Sequence, residues 1–136
     1  MKHQFTTYEL FASTDVPNGF YYQPNFITAD EENMLVSQIK NLKLRPFLFQ
    51  GFEAKRRVIS FGYDYSFDER RLVEGEQIPV EFHWIVEKAA KFLKASDNFA
   101  ELLITEYAPG SMINWHRDAQ PFGTIAMLAP DGEVEY

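Results

Sequence analysis

Hydrophobic positions in this chain switch between helical spacing and strand alternation, and the switches outline its elements. Gly19–Ile27, "GFYYQPNFI", is aromatic and predicts an extended strand broken at Pro24. "TADEENMLVSQIKNL" follows from Thr28, with Leu35, Ile39 and Leu42 three and four residues apart, the buried stripe of a helix. Thr28 and Glu31 stand at capping-box spacing, and acidic residues crowd the first turn, where the helix dipole favours them. In "RPFLFQGFEAKRRVISFGYDYSF", Phe47 and Phe49 alternate, Gly51 marks a turn and Val58 to Tyr63 is strand-like, which predicts a hairpin with a basic tip.

"IPVEFHWIVEKAAKFLKA" predicts a second helix, with Pro79 near its start, where the missing N–H costs little. Phe82, Ile85, Ala89 and Leu93 share one face, and His83 beside them reads as a boundary histidine. After Asp97-Asn98 the pattern becomes strands. "AELLITEYAPG" sets Leu103, Thr105 and Tyr107 against Ile104 and Glu106 and turns at Pro109-Gly110. "SMINWHRD" predicts a second strand and "PFGTIAMLAP" a third, entered through Gly123 and left through Pro130-Asp131-Gly132. The order predicts one α+β domain over residues 1–136, a mixed front half followed by antiparallel strands of jelly-roll type.

Composition narrows the function classes. A chain of 136 residues can bury one core, and 16% aromatic content favours sheet. The absence of cysteine excludes a disulfide framework, a thiolate metal site and a cysteine nucleophile. The opening "MKHQFTTYEL" has no signal-like apolar run, and no stretch approaches the ~20 apolar residues of a membrane span, so the expectation is a cytoplasmic protein without membrane contact. A formal net charge of −7 disfavours nonspecific duplex binding by the whole surface, because phosphate neutralisation supplies most of that affinity. Two local basic runs remain, "EAKRR" (Glu53 to Arg57) and "ERR" (Glu69 to Arg71), each readable as a solvated loop or as a phosphate contact.

His116 and Asp118 stand at i and i+2 of a predicted strand, which sets imidazole and carboxylate on one face. Nitrogen plus carboxylate oxygen is two-thirds of the facial triad that holds non-haem Fe(II), and it is equally an ordinary surface pair. The surrounding string is more specific: Tyr107-Ala108-Pro109-Gly110, then His116-x-Asp118, then Phe122-Gly123-x-Ile125, preceded by "RRVISFGYDYSF" and "IPVEFHWIVEKAAKFL". On these residues, from about Gly19 to Ile125, the sequence resembles the AlkB-like family of Fe(II)- and 2-oxoglutarate-dependent dioxygenases.

The resemblance implies a double-stranded β-helix core with Fe(II) and 2-oxoglutarate as cofactors. The activity it implies is oxidative demethylation or hydroxylation of alkylated nucleic acid, as a single strand or flipped base, or of a methylated protein. In relatives a hydroxylated N-methyl group leaves as formaldehyde. His116 and Asp118 take the places of catalytic metal ligands, and Tyr107 that of the tyrosine whose hydroxyl meets the 2-oxoglutarate carboxylate. Two residues before Tyr107, relatives often carry an assisting asparagine; here that place is held by Thr105, a departure from the family pattern. Arg56 and Arg57 lie in the segment that approaches substrate; Trp115 and Phe122 flank the mouth of the site, or are core aromatics.

Two family features are absent. A second ligand histidine and a 2-oxoglutarate-binding arginine follow H-x-D in relatives, whereas here no histidine follows His116 and no arginine follows Arg117. The expectation is a domain incomplete at its C-terminus: part of a longer enzyme, or a non-catalytic relative acting as an interaction domain. A second chain could also complete the core, as a homodimer through an open sheet edge. A cupin-like binder without redox chemistry is a weaker fit, since such sites use several histidines and this chain has three in all.

Overall fold

The structure is a computed structural model that describes residues 18–49, 52–66, 68–95, 99–111 and 123–130. Helix α1 spans Ala29–Lys40, and its start is set by local chemistry. The Glu31 N–H donates to Thr28 Oγ1 at 3.1 Å, and the Thr28 N–H donates to the Glu31 carboxylate at 3.0 Å. Two helix-end donors are thereby satisfied at once. Leu35 is buried, and Ile39 and Leu42 pack against the same cluster, as the stripe predicts.

The strand expected over Gly19–Ile27 does not form. The chain instead turns at Pro24-Asn25, where Asn25 adopts a left-handed φ of 53° and Pro24 has no N–H for a ladder. The aromatic content serves packing: Phe26 meets Phe92 edge-on at 5.2 Å, and the Lys88 ammonium lies 5.3 Å from the Phe26 ring centre.

Strands β1 (Arg45–Phe49) and β2 (Phe52–Ser66) form the expected antiparallel hairpin. The basic run Glu53 to Arg57 lies within β2, paired to β1, and not at the tip, because β2 begins at Phe52. The register slips between Pro46 and Leu48, where proline removes a ladder donor. Strand β2 is the backbone of the sheet. Its Arg56–Gly62 stretch pairs antiparallel with β4 (Glu101–Tyr107), and its Tyr63–Ser66 end pairs with the short β3 (Arg71–Glu74).

Between β3 and β4, a 3₁₀ turn over Val80–Phe82 leads into helix α2, His83–Phe92. Phe82 and Ile85 are buried as predicted, while Ala90 is buried and Ala89 only half-buried. The helix ends in a Schellman motif: Ala95 N–H bonds Ala90 O at 3.0 Å and Lys94 N–H bonds Lys91 O at 3.2 Å, with Lys94 left-handed at φ 50°.

The core gathers Leu35 of α1 and Phe82 and Ile85 of the second helical segment against Leu102 and Ile104 of β4. Lys88 donates to Glu31 at 3.0 Å and joins the two helices at the rim. The architecture is therefore α+β, an open antiparallel sheet with two helices on one face. The expected strand over "SMINWHRD" lies outside the described residues from Met112 onward. Residues 123–130, expected in a third strand, form no ladder among the described residues; Leu128 reaches the core while Ile125 and Met127 stay exposed. No helix among the described residues is long and apolar enough to cross a membrane.

Candidate functional site

The ladder between β2 and β4 decides which side chains share a face. Ile59 opposite Ile104 and Phe61 opposite Leu102 look toward the helices, and the alternation carries Arg57 and Glu106 to that side. Arg56 opposite Tyr107, Val58 opposite Thr105 and Ser60 opposite Leu103 occupy the other side. The adjacent arginines therefore point to opposite faces.

Their partners differ accordingly. Arg57 donates from Nε to Glu106 Oε1 at 2.9 Å and from a terminal nitrogen to the same oxygen, with both side chains more than half exposed. Such a pair adds at most about 1 kcal/mol of stability, but it engages the Arg57 charge internally. Arg56 donates from a terminal nitrogen to the Tyr107 hydroxyl at 3.2 Å. Thr105, half-buried, sits two residues from Tyr107 on the same face. Three sequence candidates, Arg56, Thr105 and Tyr107, are thus gathered, and Arg57 is separated from them. A guanidinium beside a phenol and an alcohol is a donor set suited to an oxyanion.

His116, Asp118, Trp115 and Phe122 lie outside the described residues. Among the described residues no group of three or more His, Cys, Asp or Glu side chains could hold a metal ion. His83 bonds through Nε2 to the Ile78 carbonyl at 3.0 Å, in keeping with a boundary histidine. It borders an open depression of about 300 Å³ lined also by Gly62, Tyr63, Glu74 and Gln77.

One constellation escaped sequence reasoning. Ser60 donates to the Glu101 carboxyl at 2.8 Å on the Arg56 side of the ladder. Burial pushes the Glu101 carboxyl above the usual glutamate range; the Ser60 bond opposes this, and the nearby Asp64 carboxylate adds to it. Ser60 and Glu101 are 41 positions apart, so only the strand register could have paired them. No family model, curated protein or solved structure matches the chain.

Proposed function

We propose that this chain is an AlkB-like Fe(II)/2-oxoglutarate-dependent dioxygenase domain, its open sheet being part of a double-stranded β-helix. The reaction is oxidative demethylation or hydroxylation of an alkylated base, presented singly, with a methylated protein side chain as the other substrate class. The observation that supports it is the end of β4. Tyr107 stands beside Arg56, with Thr105 on the same face, two residues before the Pro109-Gly110 turn that leads to His116 and Asp118.

The described donors suit a carboxylate, the group by which the 2-oxo acid would be held. His116 and Asp118 are the metal ligands of this reading, and bound Fe(II) would couple oxygen reduction and 2-oxoglutarate decarboxylation to C–H oxidation. Tyr107 and Thr105 orient the co-substrate, while Trp115 and Phe122 offer aromatic faces to a base. The net charge of −7 fits a substrate read one base at a time better than an extended duplex.

The test is thermal melting with and without Mn(II) or Fe(II), together with succinate release from 2-oxoglutarate. Metal raises the melting temperature of the wild-type chain, and His116→Ala or Asp118→Ala abolishes the rise. No metal-dependent shift and no succinate would overturn the reading. A second reading, a non-catalytic interaction domain that dimerises through its sheet, draws on the exposure of Leu103 on the face away from the helices. It requires concentration-dependent association that is indifferent to chelator.

A further inference from the structure

The depression beside His83 is lined in part by bare backbone. Gly62 and Gly75 both border it, and the Gly75 N–H donates to the Gly62 carbonyl at 2.8 Å, so two residues without side chains meet there. Tyr63 and Glu74 are directly opposed in the β2–β3 ladder, which sets a phenol ring and a carboxylate side by side on one face. Both residues are exposed, as are Gln77 and His83, which add polar atoms to the lining. The Ile78 carbonyl can only accept, so its 3.0 Å bond to His83 Nε2 fixes the ring proton there, and the neutral imidazole keeps a lone pair at Nδ1. Among the described residues, neither that nitrogen nor the Glu74 carboxylate has a partner, and no lysine or arginine lines the depression. The depression is therefore rich in acceptors, and its one full charge is negative and uncompensated.

We propose that this depression takes the guanidinium of an arginine side chain presented by a partner polypeptide. A guanidinium is planar, donates five N–H groups in a fixed fork that matches a carboxylate, and stacks on an aromatic face, whereas an ammonium is a compact, strongly hydrated charge. Glu74 takes the fork, Tyr63 supplies the ring, and His83 Nδ1 and the Gln77 side-chain carbonyl accept from the remaining N–H groups. The depression is open to solvent, so the tip of the side chain enters while its own backbone stays outside. A net charge of −7 favours the approach of a basic partner. The surface does not depend on the dioxygenase reading, and neither stands or falls with the other.

The experiment is a titration of the full, isotope-labelled chain followed by backbone amide shifts, with Gly62, Gly75 and His83 as reporters. The probe is the peptide Gly-Gly-Arg-Gly-Gly with blocked ends. It is compared with the same peptide carrying lysine, with the same peptide carrying citrulline, which keeps the planar shape without the charge, and with ethylguanidinium alone. The arginine peptide saturates the three reporters, and the lysine and citrulline peptides bind about threefold or more weakly. Glu74→Gln weakens the arginine peptide by about threefold or more, Tyr63→Leu weakens it while Tyr63→Phe does not, and Asp30→Asn, in the exposed first turn of α1, stays within about twofold of wild type.

Shifts that do not saturate, or that survive Glu74→Gln unchanged, overturn the site. A lysine peptide that binds as tightly as the arginine peptide reduces the depression to a charge contact and overturns the guanidinium assignment. A citrulline peptide that binds as tightly removes the part played by charge and overturns it as well. Ethylguanidinium binding more tightly than the peptide overturns the polypeptide partner. Glu74 is exposed and glutamine keeps its shape, so Glu74→Gln retains the fold and decides the matter should Tyr63→Leu melt well below wild type.

Discussion

Gly62 is the residue on which the sheet turns. Its φ is +83°, and a Cβ there would lie 2.2 Å from the Ala100 carbonyl oxygen. Its N–H donates to Glu76 O at 2.6 Å and its carbonyl accepts from Gly75 at 2.8 Å, while the next N–H, of Tyr63, goes to Ala100 at 2.9 Å. At this point β2 exchanges β4 for β3 as its partner. Gly62→Ala is therefore expected to cost about 2–4 kcal/mol, from left-handed strain and from displacing the approach to β4. A lowered urea midpoint at unchanged slope would register it; an unchanged midpoint would remove Gly62 from this role. A glycine inside a strand pattern signals close backbone approach, so part of this was legible, though not which backbone approaches. The same holds for Tyr107, which sequence reasoning selects, whereas its bond to Arg56 depends on a ladder joining residues 51 positions apart.

Elements written in local chemistry were the readable ones. Helix α1 carries its capping box, its acidic first turn and its apolar stripe within its own residues. Thr28→Ala should destabilise the domain by about 1 kcal/mol, read as a drop in melting temperature, with Thr28→Ser restoring most of it. The expected strand at Gly19–Ile27 failed because aromatic residues suit a strand or a packed turn equally, and Pro24 with left-handed Asn25 decided for the turn. Strand β3 was missed for the opposite reason: four residues, "RLVE", with only Val73 half-buried, carry too little alternation to register. The basic run of Glu53 to Arg57 looked like a solvated tip, but its pairing with β1 makes it strand, and strand geometry sends Arg56 and Arg57 apart.

Across the molecule, two carboxyl groups should bend the stability–pH profile in opposite directions. The Thr28 backbone N–H, then the Lys88 ammonium, hold Glu31 below its ordinary value, so its contribution is present above the unfolded pKa and is lost as pH falls through the depressed one. Burial raises Glu101, so its contribution is present below the unfolded pKa and is lost as pH rises through the folded one. Melting curves at pH 7 and pH 4 should show Glu31→Gln less stable and Glu101→Gln more stable than wild type at pH 7, with both differences shrinking at pH 4. Equal shifts at the two pH values would count against both assignments. By itself the sequence determined what depends on neighbours along the chain: the α+β class, both helices and the β1–β2 hairpin, because caps, turns and periodic stripes act over a few positions. Only the tertiary structure decided what depends on register. It set the switch at Gly62, the parting of Arg56 from Arg57, and the meeting of Arg56 with Tyr107 and of Ser60 with Glu101. Pairing between distant strands is chosen by how whole faces bury against the helices, and no local pattern encodes that choice.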